Sequence, residues 1–277
     1  MRVLNCLVTG GTSGVGRSIA RALARSGARV TIVSRDEARG VAAAEDLRRE
    51  TGNPAVDAAT ADLSSFSSVR ALADVIRRKY AALHVLSNNA ATLTMKRELT
   101  ADGVESIFAV NYLSHFLLTA LLGDALRAGA PARVITVSGQ PRLIARFTPS
   151  FDDPASERGF SPFGATIRAA VAKVLFTREL AARLARTGVT ANTFHPGLVR
   201  SGLPSHLPLL LRLPVRVASL FFAAGSETGI FLALSPAVEA VTGQCFQSKK
   251  AVPFQPSYDA QVAARQLWEM SSRLCGL

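Results

Sequence analysis

A glycine-rich loop near the amino terminus is the part of the sequence best suited to binding a phosphate. The loop runs from Thr9 to Gly16 and reads TGGTSGVG. It follows an apolar run at residues 3–8 and opens a segment with apolar residues at helical spacing. In this setting glycines let backbone N–H groups approach a pyrophosphate at the positive end of a helix dipole. The loop therefore predicts a nucleotide-binding site.

Three further polar motifs come directly after apolar runs, and they are also suited to chemistry. The motifs are Asp62-Leu63-Ser64, Asn88-Asn89-Ala90-Ala91 and His195-Pro196-Gly197. An imidazole such as that of His195 is a candidate acid or base, because its ordinary pKa lies close to neutral pH. A packing role for His195 is the alternative.

The elements that position these motifs alternate between strand and helix. The predicted strands are residues 3–8, 29–33, 56–60, 84–87, 133–138, 189–194 and 241–246. The predicted helices are 14–26, a segment from 36, 65–80, 110–122, 165–186 and 258–274. This order predicts an α/β fold in which residues 1–277 form one Rossmann-type doubly wound domain with a seven-stranded parallel sheet flanked by helices.

The composition excludes several classes of protein. Of the 277 residues, 48% are apolar, which is enough for one large core. Three scattered cysteines predict reduced thiols in a cytoplasmic protein, and the four scattered histidines suggest no metal site. The net charge of +12 comes with no basic run interleaved with aromatics, so solvated helix faces are favoured over a nucleic-acid partner.

An apolar stretch at residues 207–224 is close to the length of a membrane span. Arg212 and Arg216 interrupt it, however, and a lipid-spanning helix rarely carries two unpaired arginines in its middle. We therefore predict no transmembrane segment and an apolar substrate lid at about residues 203–224. Contact with a membrane surface is the alternative.

Together the motifs resemble the short-chain dehydrogenase/reductase superfamily, and most closely its retinol-dehydrogenase-like branch. Residues 110–119, 174–180 and 232–236 add to the likeness, which runs from Val3 to the carboxyl terminus. The resemblance implies a nicotinamide cofactor and an apolar small-molecule substrate. It also implies a homo-oligomer, a dimer or tetramer, that pairs through two long helices.

The resemblance assigns cofactor-binding roles residue by residue. The assigned residues are Gly10, Thr12, Ser13, Gly14, Val15, Gly16, Arg35, Asp62, Leu63, Asn88, Ala90, Pro196 and Gly197. In such proteins an acidic residue at the position of Arg35 pairs with a ribose 2′-hydroxyl, whereas arginine suits a 2′-phosphate. Because the neighbouring Ser34 is not acidic, NADP(H) is favoured over NAD(H). The alternative is that Arg35 is simply one more surface arginine.

The catalytic positions implied by the resemblance do not carry the family's residues. The family uses a Ser, a Tyr and a Lys, and the matching positions here are Gly139, Thr166 and Ala170. No tyrosine in the chain has a lysine four residues downstream, whereas Asn111 matches the family's supporting asparagine. Loss of a positioned general acid typically slows a reaction about 10²–10⁴-fold.

Other polar side chains are candidate replacements for the missing groups. They are Ser138, Lys173, Tyr112, His115, Asp152, Asp153 and His195. We favour His195, together with Asn111, as the catalytic residues. Lys173 is expected in solvent or at an interface. Tyr112 and His115 are expected to pack in the core, and the paired aspartates are expected to form a turn. Strand alternation should point Ser138 away from the side of Gly139.

These observations favour a non-redox catalyst, working by cyclisation, isomerisation or elimination on an apolar natural-product-like molecule, with any bound nucleotide structural or vestigial. One alternative is a catalytically silent partner of an active homologue. A second is an NADPH-dependent carbonyl reductase with a substitute proton donor. Five residues are expected to form apolar pocket walls: Met95, Phe147, Phe151, Phe160 and Phe163.

Overall fold

A computed structural model describes residues 3–148, 150–197 and 223–277. Its strands are β1 Asn5–Thr9, β2 Arg29–Ser34, β3 Val56–Thr60, β4 Val85–Asn88, β5 Ala132–Val137, β6 Val189–His195, β7 Cys245–Gln247 and β8 Lys250–Val252. Its α-helices are α1 Gly14–Arg25, α2 Glu37–Thr51, α3 Phe66–Lys79, α4 Ser106–Phe108, α5 Ser114–Leu121, α6 Gly123–Ala128, α7 Pro141–Ile144, α8 Pro162–Arg183, α9 Glu227–Leu234 and α10 Ala260–Cys275.

The described strands form one sheet in the order β3-β2-β1-β4-β5-β6-β7-β8. Strands β1 to β7 pair in parallel, and the chain order reverses between β1 and β4. Ligands of open α/β sheets bind at such a reversal, beyond the carboxyl ends of the strands. The fold therefore places a binding crevice where the glycine-rich loop follows β1.

The sheet is buried on both faces, which explains why its strands are continuous apolar runs. Cys6, Leu7 and Val8 in β1 have no exposed surface. One face packs against α1, α2 and α9, and the other against α3, α5, α8 and α10. This double cover confirms the predicted α/β fold.

The sheet differs from the predicted seven parallel strands by one additional strand. β8 pairs antiparallel with β7 at the edge of the sheet. The two strands are joined through Ser248 and Lys249, whose φ angles are +50° and +63°. Such a hairpin turn usually carries Asn or Gly, so its sequence gave no turn signal.

The helix predicted at residues 110–122 is interrupted. Between α4 and α5 the chain forms a π-helical turn at Ala109–Leu113. Wider turns of this type are rare and are frequent at functional sites. Asn111 lies within this turn.

The predicted apolar lid at residues 203–224 lies almost entirely outside the described residues. Within the described ranges, no helix has both the length and the apolar character needed to cross a membrane.

Candidate active site

The glycine-rich loop is shaped by two positive φ angles and two close backbone approaches. Gly10 and Gly14 have φ angles of +63° and +56°. A Cβ added to Gly10 would lie 3.0 Å from the Cα of Ala90, and one added to Gly16 would lie 2.4 Å from the carbonyl oxygen of Gly10. Only glycine fits at Gly16 without moving backbone.

The loop leaves the first turn of α1 open to a ligand. Ser13 is the N-cap residue, but its side chain makes no capping hydrogen bond, and the first turn holds no acidic residue. The amino-terminal N–H groups of a helix need partners from outside the helix, and the helix dipole favours an anion there. The turn thus has the properties of a phosphate-binding cradle.

The cradle is joined directly to the end of β4. The hydroxyl of Thr9 accepts hydrogen bonds from the backbone N–H groups of Asn89 and Ala90, at 3.0 and 3.2 Å. Asn88 donates to Thr119 at 3.2 Å, and its side-chain oxygen has no hydrogen-bond partner within the described residues. These residues would hold the phosphates and sugar of a dinucleotide, and a nicotinamide bound in this crevice would supply or accept hydride.

The cradle yields a direct test. We expect Gly16→Ala to weaken NADPH binding by about tenfold or more, a loss of about 1.4 kcal/mol, because the loop backbone must shift. Binding is measured by NADPH fluorescence. Gly123→Ala is the matched control, because the nearest atom to its added Cβ is the flexible tip of Arg127 at 3.4 Å. Equal affinities of the two variants would contradict the cradle.

The predicted cofactor residues lie at one edge of the sheet. The residues between Gly10 and Gly16 follow β1, while the others lie at or after the ends of the parallel strands β2, β3, β4 and β6. Arg35 follows β2, is exposed, and forms no ion pair with the carboxylates of the described residues. Ser34 beside it accepts a hydrogen bond from the backbone of Asp36 rather than offering a charge.

Two residues at this edge have local structural partners. One carboxylate oxygen of Asp62 accepts hydrogen bonds from the backbone and hydroxyl of Ser64, at 2.9 and 2.8 Å. Leu63 is buried, and Pro196-Gly197 directly follows β6 with a φ angle of +73° at the glycine. The adenine contact of Asp62 stays a prediction.

The side chain of Asn111 is bound to the backbone of one residue. Its nitrogen donates to the carbonyl of Thr92 at 3.0 Å, and its oxygen accepts from the Thr92 N–H at 2.7 Å. Asn111 therefore anchors the chain after β4 to the π-helical turn. Its catalytic role stays a prediction.

Gly139 and Ala170 form a close contact between the end of β5 and helix α8. A Cβ added to Gly139 would lie 3.3 Å from the Cβ of Ala170 and 2.7 Å from the Cγ2 of Ile144. The hydroxyl of Ser138 donates to the Ala170 carbonyl at 2.9 Å. The expectation that Ser138 points away from this side is wrong, because β5 ends at Val137 and strand alternation stops there.

Thr166 has a local partner near the start of α8. Its side chain is exposed, and its hydroxyl donates to the carbonyl of Pro162 at 2.8 Å. This is the bond that Ser and Thr commonly make to the preceding helical turn.

His195 ends β6 beside Ser138. Burial lowers the pKa of His195 below its ordinary value, and the nearby backbone of Ser138 offsets part of that shift. Its Nδ1 atom has no hydrogen-bond partner among the residues described. A neutral imidazole in this place can accept a proton, so His195 keeps its place as a candidate base.

Lys173 was expected either in solvent or at an interface. The expectation that it lies in solvent is wrong. Lys173 lies inside the protein with 6% of its surface exposed, and His115 has none exposed. Tyr112 is also fully buried, and its hydroxyl lies 2.7 Å from that of Ser271. No signal in the sequence distinguished this buried lysine from surface ones.

The paired aspartates form a turn on the surface, as expected. Hydrogen bonds from Ser150, followed by Arg158, lower the pKa of Asp152, and backbone N–H groups of Arg158 and Glu157 lower that of Asp153. Both shifts favour the charged carboxylate, so neither group has the raised pKa that suits a general base near neutral pH.

A cavity of about 290 Å³ lies on the other side of α8 from Ala170. Phe147 and Phe160 line it, but so do Ser150, Ser156, Ser161 and Arg168. Phe163 packs edge-on against Phe147, whereas Met95 is exposed and Phe151 stacks on Phe108. The five predicted wall residues therefore do not form one apolar pocket in the described part of the chain.

The chain is similar in sequence to proteins of a known family. The sequence profile of the short chain dehydrogenase family matches residues 5–148. Human retinol dehydrogenase 12 is 40% identical over 274 residues, covering 98% of this chain and 86% of that protein. The chain belongs to the short chain dehydrogenase family. Human retinol dehydrogenase 14 is 39% identical over 290 residues, with the same two coverages.

Solved structures agree with this assignment. The active-site complex of Pseudomonas aeruginosa RhlG with NADP is 28% identical and has a TM-score of 0.67. The match covers 88% of this chain and 93% of that one.

The relatives correct the functional interpretation of the sequence. The expectation of a non-redox catalyst is wrong, because the curated relatives at 39–40% identity are named retinol dehydrogenases, which are oxidoreductases. They give no support to a catalytically silent chain. The physical reason for the error is that the proton needed for hydride transfer can come from a side chain elsewhere. The absence of three side chains therefore does not exclude that reaction.

Proposed function

We propose that this protein is a nicotinamide-dependent oxidoreductase that interconverts an apolar alcohol and the corresponding aldehyde or ketone. The observation that carries the proposal is the cradle at the amino terminus of α1, where Gly16 admits no side chain and Ser13 leaves the helix uncapped. The retinol dehydrogenase relatives support a retinoid-like substrate with a long apolar body.

The preferred cofactor in this proposal is NADP(H). Arg35 is exposed directly after β2 and has no carboxylate partner within the described ranges. Its guanidinium can make charged hydrogen bonds to a 2′-phosphate, whereas a 2′-hydroxyl offers it no charge. The NADP complex of the related RhlG structure is in keeping with this choice.

The cofactor preference leads to a testable substitution. We expect Arg35→Glu to weaken NADPH binding by about 10- to 100-fold, because a charge-assisted hydrogen bond contributes about 1.5–3 kcal/mol. NADH affinity should change much less. Fluorescence titration with both nucleotides measures the ratio, and Arg78→Glu, at an exposed arginine of α3, controls for the change in net charge. An equal loss for NADPH and NADH would count against Arg35.

We further propose that Gly139, Thr166 and Ala170 occupy the positions of the family's Ser, Tyr and Lys. A Ser side chain at Gly139 would meet Ile144, and the Thr166 hydroxyl is bound to Pro162. The proton that accompanies hydride transfer must then come from another group. In the same proposal the protein is a cytoplasmic homo-oligomer.

Purified protein with NADPH and a panel of apolar aldehydes tests the proposed function. Retinaldehyde, medium-chain aldehydes and aromatic ketones are the probes, and the alcohol product is measured by chromatography. We expect alcohol formation that depends on NADPH. A protein that binds NADPH yet reduces none of these compounds would overturn the proposal.

A further inference from the structure

Lys173 lies on the same face of α8 as Thr166 and Ala170. Thr166, Ala170 and Lys173 are spaced i, i+4 and i+7, so they form one stripe along the helix. Ala170 in the middle of the stripe lies against the end of β5. The stripe therefore runs from solvent at Thr166, past the end of β5, to the buried lysine.

Helix geometry directs the Lys173 side chain toward the ligand-binding edge of the sheet. Helix α8 connects the parallel strands β5 and β6, so its amino-terminal end lies at the carboxyl edge of the sheet. Helical side chains lean toward the amino terminus of their helix, and a lysine stem spans about one helical turn of 5.4 Å. Ala170, one turn earlier, is too short to block that path.

The neighbours of Lys173 also lead to the nucleotide cradle. The charge of Lys173 acts on His115, whose ring lies by the backbone of Ala90. Ala90 is the residue that a Cβ on Gly10 would touch at 3.0 Å. The charge of Lys173 thus acts on a residue that lies beside the segment packed on the phosphate loop.

Buried polar groups without partners collect in this region. Both ring nitrogens of His115 are without hydrogen-bond partners within the described residues. The side-chain oxygen of Asn88 is in the same state. Buried polar atoms are nearly always satisfied in proteins, so these atoms indicate that a ligand or water completes the site.

Burial alone accounts for the acidity of Lys173. It lowers the pKa of Lys173 from 10.5 to about 8. Burial, and then the charge of Lys173, lowers the pKa of His115 to about 3, so the imidazole is neutral at physiological pH. Lys173 is the titrating member of the pair.

We infer that Lys173 is the proton donor and acceptor of this site, with its amine in the space beside Ala170. The inference rests on the proposed function, with the reduced nicotinamide as hydride donor. In reduction, one N–H bond of the Lys173 ammonium breaks as the O–H bond of the product alcohol forms, and the amine regains a proton from solvent. In oxidation the neutral amine accepts that proton.

Lysine spectra test the placement without any turnover. The chain has five lysines, so labelling them with ¹³C at the ε-carbon gives few signals, and the signal lost in Lys173→Met identifies Lys173. We expect that signal to titrate near pH 8 and to shift when NADP⁺ is added. A Lys173 signal that does not respond to saturating NADP⁺ would overturn the placement.

Turnover tests the proton transfer itself. In an active wild type we expect Lys173→Met to lower kcat/KM by about 100-fold or more. Lys173→Arg should remove the limb of the pH profile near pH 8, because a guanidinium does not titrate there. Lys250→Met, which removes an exposed lysine of β8, is the matched control.

The outcomes separate the two proposals. A wild type that reduces no aldehyde overturns the proposed function before any variant is made. An active wild type with an equally active Lys173→Met overturns the role of Lys173 alone.

Discussion

Replacing Glu105 by alanine should lower the free energy of unfolding by about 3–5 kcal/mol, because it breaks a buried ion pair by removing one partner. Glu105 has no exposed surface. Its two carboxylate oxygens accept hydrogen bonds from the N–H groups of Ile107 and Phe108, at 2.7 and 3.1 Å, and one lies 3.5 Å from Arg168. Urea unfolding measures the loss.

The loss should be large because Arg168 depends on Glu105. Arg168 lies 4.7 Å over the ring of Phe108 and donates to the Asp153 carbonyl and the Ser156 hydroxyl, both at 2.8 Å. Without Glu105 this half-buried cation would lose its ion-pair partner. The loop at residues 153–156 would lose part of its anchorage to α8.

Two further variants make the result specific. Glu105→Gln keeps the shape of the side chain and one acceptor oxygen, so we expect a smaller loss than for alanine. Glu45→Ala removes an exposed carboxylate of α2 and should change stability by no more than about 0.5 kcal/mol. A Glu105→Ala loss within that same range would contradict the account of this network.

Replacing Lys173 by methionine should stabilise the protein by about 3 kcal/mol near neutral pH. Burial lowers the pKa of Lys173 from 10.5 to about 8, so the charged form destabilises the folded state. By linkage, a shift of this size is worth about 3 kcal/mol below the lower pKa. Methionine fills a similar volume and carries no charge.

The pH dependence has a definite sign. The cost of Lys173 is fully present below pH 8 and disappears as pH rises from 8 to 10.5, because the folded protein then holds a neutral amine. The advantage of Lys173→Met should therefore shrink over that range. Urea unfolding of both proteins at neutral and alkaline pH measures it, and an advantage that does not change with pH would contradict the burial of a titrating amine.

The proposed proton transfer would give a functional reason for keeping a lysine that destabilises the fold. Proteins commonly give up stability where activity needs a strained or desolvated group. A Lys173→Met variant that is more stable than the wild type but has lost turnover would show that Lys173 gives up stability for activity. If Lys173 had a purely structural role, its replacement would lower the stability of the protein.

The sequence predicted the parts of the molecule whose signals are local. The loop at Thr9–Gly16 could be assigned because its glycines lie between an apolar strand and an amphipathic helix, and both elements are present. The order of strands and helices also followed from residue patterns, because fully buried parallel strands are unbroken apolar runs. The observed ends of the strands and helices differ from the predicted ends by a few residues.

The parts that could not be predicted depend on tertiary contacts. Lys173 resembles a surface lysine in sequence, and only the packing of the folded chain around α8 buries it. The ion pair of Glu105 and Arg168 joins residues 63 positions apart. The π-helical turn at Ala109–Leu113 and the hairpin before β8 carry no sequence signal of their own.

The functional error had the same origin. Gly139, Thr166 and Ala170 were identified from the register of the chain, but their side chains say nothing of groups that reach the site from elsewhere. The structure places Ile144 where a side chain at Gly139 would lie, and a buried amine one turn beyond Ala170. Relatives at 39–40% identity are named retinol dehydrogenases, so changes at three positions do not by themselves indicate a change of reaction class.

Transfer of deuterium from the nicotinamide to the product is a direct test of hydride transfer by this protein. Purified protein is incubated with an apolar aldehyde and NADPH deuterated at C4, in separate reactions for each face of the ring, and the alcohol is analysed by mass spectrometry. We expect one deuterium on the carbinol carbon from one of the two cofactors and none from the other. Unlabelled alcohol from both, or no alcohol from a protein that demonstrably binds NADPH, would contradict this expectation.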